Sequence, residues 1–442
     1  MDVIQKTPPS HLEEAALIPP SLCTNQNSTE PGEPFYRYTR ASVRNFNTII
    51  VAMASQSPFT VKWGILATGG IAETFCRDLL CDPAVRDVHD VRHEIAAVAS
   101  SSSADRAASF IEKIKGPSTA KTYGSYAELV ADPNVDIIYV ATPHSHHFQN
   151  AMLALEAGKN VLCEKALTVT AAQTKKLVAK AKEKNLFLME AVWTRYFPLS
   201  IKIRELITSG AIGRVHRTTA DLAFADGQDD GSVKYPDTNR MVNLDLAGGA
   251  LLDLGIYALT WVFQTLYHLQ KDKESPNVLA AIDQYRTGAD ETTSIMCHFP
   301  KNKMTGIATT SIKVATDPNG LNSAGPAIRI QGTKGEIQVF GPAFRPTQYK
   351  VIREGDSNVD IVDCPIPKDP KVDYGHGMFW EADECARCLR DGRKESETLP
   401  LSESIAIMET MDSALQQGNV KYPELISTDI YDPKSPLNAG NR

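Results

Sequence analysis

From Thr60 to about Glu190 the chain switches repeatedly between short apolar runs and stretches of helical spacing. "TVKWGIL", "HEIAAVAS", "VDIIYVATP", "NVLCEK" and "LFLMEAV" read as strands. "IAETFCRDLL", "ADRAASFIEKI", "SYAELVAD", "HFQNAMLALEAG" and "TVTAAQTKKLVAKAKEKN" read as the helices between them. Strands joined through helices pair in parallel, and a parallel sheet needs cover on both faces. "VDIIYVATP" is apolar enough to be buried on both sides. The pattern therefore predicts a doubly wound α/β domain of the Rossmann type over residues 58–190.

After Pro198 the pattern changes. A helix, "LSIKIRELITSG", leads through "GRVHRTTADLAFA" to the Gly-rich, mostly helical "LAGGALLDLGIYALTWVFQTL". Residues 278–362 are successive β-like segments with turn punctuation, including a hairpin-like pair around Gly332-Thr333-Lys334-Gly335. Helices over 377–391 and 401–417 follow. Residues 191–442 are thus expected to form an α+β domain with a large, mainly antiparallel open sheet. Residues 1–57 mix proline, glycine and small polar residues without period, the composition of a disordered or weakly ordered extension.

Charge and cysteine usage narrow the function classes. A net charge of -7 over 442 residues argues against a broad nucleic-acid or anionic-membrane surface. No apolar run reads as long enough to span a bilayer, so no membrane partner is expected. Eight scattered cysteines are too few for a disulfide scaffold and fit a reducing, cytoplasmic setting. Cys385 and Cys388 form a C-x-x-C with no second pair nearby, inside a segment that reads as one helix. His144-Ser145-His146-His147 lacks a matching carboxylate or cysteine cluster and reads as the opening of a helix. No metal site is expected.

The first strand–helix junction is Ala67-Thr68-Gly69-Gly70-Ile71-Ala72. A dinucleotide fingerprint wants a tight turn, then small residues where backbone meets pyrophosphate and helix meets sheet. Ala67 takes the first glycine position, Gly69 the second and Ala72 the third. Thr68, Gly69, Gly70, Ile71 and Ala72 are the cofactor-binding candidates here. Where the second strand should face the adenosine ribose, the chain offers Ser100-Ser101-Ser102-Ser103 and then Arg106, with no acid before Asp105. An acid there would repel a 2′-phosphate; Ser101 and Arg106 suit one, which favours NADP over NAD.

"VDIIYVATPHSHHFQNAMLALEAGKNVLCEKALTVT" resembles the Gfo/Idh/MocA family, whose pattern runs A-T-P-N-x-x-H and then A-L-x-A-G-K-x-V-x-x-E-K-P. "LMEAVWTRYFPLSIKIRELI", "GGALLDLGIYAL" and the ending "YPELISTDIYDPKSPLN" are most similar to its branch of dimeric dihydrodiol dehydrogenases and fungal NADP-dependent D-xylose 1-dehydrogenases. The resemblance covers roughly residues 58–442. His144 replaces the usual asparagine and Ala166 the usual proline.

The resemblance implies a catalytic Lys165 and Tyr257, with Asp253 one helical turn before the tyrosine. It places Thr142, Pro143 and His147 on the nicotinamide side of an NADP site, Glu164 and Lys165 at its strand edge, and Trp193 and Arg195 in the cofactor–substrate cleft. Lys165, Trp193, Asp253 and Tyr257 would contact the substrate. The implied reaction is NADP-dependent oxidation of an aldopyranose, D-xylose first, at C1 to the lactone by hydride transfer. Alternatives are a trans-1,2-dihydrodiol dehydrogenase and a non-catalytic NADP-binding transcriptional regulator. The open sheet face would serve a homodimer. A base must take the hydroxyl proton. The expectation is Tyr257 in that role, its pKa lowered by Lys165.

Overall fold

The structure, a computed structural model, describes residues 57–439. The extension read over residues 1–57 lies outside them, save Ser57. Six strands form the first sheet: β1 (Phe59–Leu66), β2 (Val91–Ala99), β3 (Lys121–Tyr123), β4 (Ile137–Val140), β5 (Asn160–Glu164) and β6 (Leu188–Ala191). Their order is β3-β2-β1-β4-β5-β6, with every pair parallel. The order reverses between β1 and β4, and ligands of such sheets bind at the carboxyl ends of the strands beside that reversal.

The helices between these strands are α1 (Gly70–Leu79), α2 (Ala104–Lys113), α3 (Tyr126–Ala131), α4 (His144–Glu156) and α5 (Ala171–Glu183). Their starts are set locally. Ser103 and Ser125 accept from the backbone N–H three residues on, and Thr170 with Gln173 forms a reciprocal capping box. β3, three residues long, is the one strand of this sheet that carries no apolar run to announce it.

The second sheet has β7 (Val215–Ala223), β8 (Asn277–Gln284), β9 (Asp290–Phe299), β10 (Met304–Ser311), β11 (Ile328–Gly332), β12 (Gly335–Phe340), β13 (Gln348–Arg353) and β14 (Val359–Asp363), preceded by α6 (Pro198–Thr208). Its order is β14-β13-β12-β11-β7-β10-β9-β8, antiparallel except where β7 runs parallel to β10. β11 and β12 form the expected hairpin, with Gly332 opposite Gly335. A long apolar helical stretch covers one face of this sheet. It is built from α7 (Ile256–Val262) flanked by π-helical turns at Leu251–Gly255 and Phe263–Tyr267. A Cβ on Gly306 of β10 would lie 2.2 Å from Val262 Cγ1, so the bare glycine sets how closely helix and sheet approach. By length and composition Leu244–Tyr267 is apolar enough to cross a membrane, contrary to the sequence expectation. It is almost wholly buried, which makes it a core helix.

The chain then returns to the first sheet. α8 (Phe379–Arg390) packs on β1 and β2, and α9 (Leu401–Gln417) packs on α5, β6 and also β8. Residues 57–439 therefore cohere as one body, and its last helices help cover its first sheet. A short α10 (Glu424–Ser427) follows. Cys385 and Cys388 are buried free thiols on α8. The seat of α8 is polar as well as apolar. Asp383 takes a two-pronged bond from Arg86 at 2.8 Å and a bond from His93 Nε2 at 2.9 Å. Trp63 Nε1 donates to His93 Nδ1 at 3.2 Å, so the imidazole proton belongs on Nε2, facing the carboxylate. Asp78 of α1 accepts from the backbone N–H groups of His376, Gly377, Met378 and Phe379, which satisfies the donors where α8 begins. Removing Asp383 would strand the buried Arg86 charge. Asp383→Ala is expected to lose roughly 3–5 kcal/mol of stability, read as a fall in the thermal and denaturant midpoints; a loss inside experimental error would refute this role.

Candidate active site

At the reversal point β1 ends in Ala67, a non-glycine residue at φ 92°, in the position where the fingerprint uses its first glycine. Gly69 then caps α1 without any side-chain hydrogen bond. A Cβ on Gly69 or Gly70 would meet nothing within 4 Å, so the space beside these glycines at the start of α1 is open. That is the arrangement in which a helix start receives phosphate. Thr142, two residues past the end of β4, is buried, and its Oγ1 has no hydrogen-bond partner. An open phosphate cradle and a buried hydroxyl awaiting a partner both fit a dinucleotide. At the end of β2, Ser103 is occupied in capping α2, whereas Arg106 is exposed and makes no ion pair with a described residue. Ser101, the other 2′-phosphate candidate, hydrogen-bonds the Tyr126 side chain.

Lys165 follows the last residue of β5, and its peptide to Ala166 is cis. Its Nζ donates to Asp253 O at 2.6 Å and to Asp253 Oδ1 at 2.8 Å. The same ammonium stands over the Tyr257 ring, 5.1 Å from its centroid. Asp253 and Tyr257, four residues apart on the long helical stretch that covers the second sheet, do share a face toward Lys165. The other Asp253 oxygen, Oδ2, lies 3.2 Å from Arg240 NH1, and His144 Nε2 lies 4.0 Å from Oδ1. Burial would push Asp253 up, but Lys165 and Arg240 outweigh it and hold the carboxyl well below the usual range. Burial first, and Lys165 second, hold His144 well below its ordinary value, so it stays neutral beside them.

Tyr257 differs from expectation. Its hydroxyl accepts from Trp193 Nε1 at 2.7 Å. Burial raises its pKa well above that of a free tyrosine; the charges of Glu164, Asp253 and Glu381 add to the rise, and the Trp193 hydrogen bond opposes it. The anticipated lowering by Lys165 is absent because the ammonium lies over the ring face and spends two donors on Asp253. Trp193 is itself stacked on His376, with centroids 4.8 Å apart at 15°, and flanked by Phe344, whose ring also approaches Tyr257 at 5.8 Å. Tyr257 thus stands against an aromatic cluster of Trp193, His376 and Phe344.

Three further candidates play supporting parts in this structure. Arg195 does not reach the cleft. It is fully buried, Nε donating to Thr398 O at 2.8 Å and NH2 lying 2.8 Å from Glu403 Oε1, because the 3-10 turn Trp193–Tyr196 sends positions two apart in different directions. His147 is buried with Nε2 at 2.9 Å from Thr142 O and Nδ1 at 2.9 Å from Ala166 O, bracing the two strand ends from beneath. Burial lowers its pKa to about 4, so it is neutral and its single N–H donates to one of these two carbonyls at a time. Glu164 accepts from Tyr139 OH at 2.5 Å and from Lys165 N at 3.1 Å, which turns its side chain into the core. Burial raises it to about 7. Pro143 ends the β4 connection as the residue before α4. Arg240, His376 and Phe344 were missed, since each lies in an irregular segment far from the motifs in sequence. Among the described residues no group of three or more histidine, cysteine or acidic side chains is placed to hold a metal.

Residues 61–192 match the family model described as "Oxidoreductase family, NAD-binding Rossmann fold", and residues 200–338 match the Gfo/Idh/MocA C-terminal domain. A D-xylose 1-dehydrogenase (NADP(+)) of Hypocrea jecorina is 67% identical over 394 residues, covering 88% of this chain and all of that protein. The human trans-1,2-dihydrobenzene-1,2-diol dehydrogenase is 34% identical over 365 residues, 82% of this chain and 98% of the relative. Among solved structures, a levoglucosan dehydrogenase superposes with a TM-score of 0.68 at 18% identity, covering 81% of this chain and 97% of its own. The extent of these matches, over both sheets and the helices between them, establishes that the chain belongs to the Gfo/Idh/MocA family of oxidoreductases.

Proposed function

We propose that the protein is an NADP-dependent sugar dehydrogenase that oxidises an aldopyranose, D-xylose first, at C1 to the lactone. The carrying observation is the convergence of Lys165, Asp253 and Tyr257 beside an open dinucleotide cradle at the reversal point of the first sheet. The xylose activity and NADP use named for the 67% identical relative support the choice of substrate and cofactor. NADP+, when bound, supplies the two-electron acceptor.

This chain's own residues handle the hydroxyl and its proton. An ammonium has three donors; Asp253 takes two from Lys165 and leaves one for a sugar oxygen. Trp193 donates to the Tyr257 oxygen, so the phenol's own hydrogen is free to face substrate. To act as base Tyr257 must first lose its own proton; the Trp193 bond stabilises that phenolate, which the C1 hydroxyl proton then neutralises as the hydride leaves C1 for the nicotinamide. Asp253, kept ionised, holds Lys165 in place. Gly69, Gly70 and the N–H groups after them would cradle the pyrophosphate, with Thr68, Ile71, Ala72 and Pro143 as its surroundings, and Thr142 would donate to or accept from the nicotinamide side. The aromatic cluster of Trp193, Phe344 and His376 suits the apolar face of a sugar ring, and equally the ring of a trans-dihydrodiol, which keeps that substrate as the second reading. A cytoplasmic location accords with the seven unpaired cysteines among the described residues. Self-association through the open sheet face belongs to the same proposal.

Initial rates of NADPH formation with D-xylose, D-glucose, L-arabinose and a trans-dihydrodiol, each with NADP and with NAD, test the reading. Xylose with NADP should lead; no turnover on any of them while NADP still binds would favour a regulator. Tyr257→Phe should lower kcat by about 10²–10⁴ with NADP affinity unchanged, as measured by quenching of protein fluorescence. Because Tyr257 is raised, its base form grows with pH: log kcat/KM for oxidation should climb with a slope of about one between pH 7 and 9. A flat profile there would contradict Tyr257 as the base. Arg106→Ala should weaken NADP binding about 10- to 100-fold, the loss of a charge-assisted bond, and leave NAD binding nearly unchanged.

A further inference from the structure

Arg240 was not expected at the site, and its setting is specific. It lies in the irregular segment between β7 and the long helical stretch. Its turn is closed by bonds from the N–H groups of Val242 and Asn243 to Asn239 O, and from Gly248 N to Asn243 O at 2.8 Å. A Cβ on Gly248 would lie 2.7 Å from Arg240 O, so the first glycine of "GGALL" is what lets this turn press against the start of the helix that carries Asp253 and Tyr257. From that fixed backbone the guanidinium reaches Asp253 Oδ2 with one nitrogen, at 3.2 Å, while 60% of its side chain stays exposed. Its remaining donors have no ion-pair partner among the described residues.

Lys165, which donates to Oδ1 and to the backbone oxygen of Asp253, anchors that residue, and Arg240 adds its charge at Oδ2. A single-pronged contact from a largely exposed arginine adds little to folding stability. The pair instead leaves an acceptor, Oδ2, and a fan of donors side by side where the buried carboxylate meets the exposed guanidinium. A sugar hydroxyl matches both at once: it donates to Oδ2 and accepts from the guanidinium.

We propose that Arg240 is a substrate-positioning residue which, together with Asp253 Oδ2, clamps one ring hydroxyl of the sugar. The clamp favours a polyhydroxylated ring and orients it against Tyr257. This inference rests on the sugar-dehydrogenase reading.

The test is steady-state kinetics of wild type, Arg240→Ala and Arg240→Lys with D-xylose and each of its monodeoxy analogues, with NADP affinity measured by fluorescence in parallel. Arg240→Ala should raise KM for xylose about 10- to 100-fold, change kcat far less, and leave NADP affinity unmoved. One deoxy analogue that is poor for wild type should be no poorer than xylose for Arg240→Ala, since the bond it lacks is already gone. Arg240→Lys should recover part of the KM. A merely structural arginine would not erase the penalty of one particular hydroxyl. If xylose is turned over by wild type but Arg240→Ala keeps its KM, or keeps the penalty at every position, this inference falls alone. A wild type that turns over no sugar overturns the sugar reading and this inference with it.

Discussion

The Lys165–Asp253 contact joins the two halves of the chemistry. Lys165 stands at the carboxyl edge of a parallel strand, where a doubly wound sheet presents its ligand site. Asp253 stands on the helical stretch that covers the second sheet. An ammonium that donates to both the carboxylate and the backbone oxygen of one residue fixes the distance and the angle between these elements. Tyr257, one turn further on, is thereby set against the same charge. Remove the contact, and the sheet edge, the phenol and the aromatic cluster would each persist without a common geometry.

Around that contact the charges are sorted by burial. Asp253 stays ionised in a buried place because Lys165 and Arg240 flank it, while His144 and His147 stay neutral there. Tyr257 rests protonated, with the Trp193 N–H aimed at the oxygen that carries the charge in the phenolate, the form that takes the substrate proton. The second ring of support is structural: His147 braces the strand ends, Glu164 is tied to Tyr139, and the Asp78 carboxylate anchors the segment that brings His376 against Trp193.

Much of the fold was legible in the sequence because strands buried on both faces and helices with one apolar face leave different spacings. β3 escaped because three residues carry no period, and the return of α8 and α9 to the first sheet because long-range packing leaves no local mark. Of the site, Lys165, Asp253 and Tyr257 could be named from motif and resemblance, and the structure does bring them together. The environment of Tyr257 could not: whether a nearby lysine lowers a phenol depends on which way its ammonium points and on how much water surrounds the ring. Arg195 misled for a related reason, since proximity in sequence to Trp193 does not say to which side a 3-10 turn sends it. Arg240 left only one trace, the glycine at 248 that its backbone packs against.

The most direct measurement of this account is a double-mutant cycle on kcat/KM with Lys165→Met, Asp253→Asn and the double variant. If Asp253 acts mainly by holding Lys165, its loss should matter little once Lys165 is gone, and the double variant should fall within about threefold of Lys165→Met. Fully additive losses would show that the two residues act independently and would contradict the account.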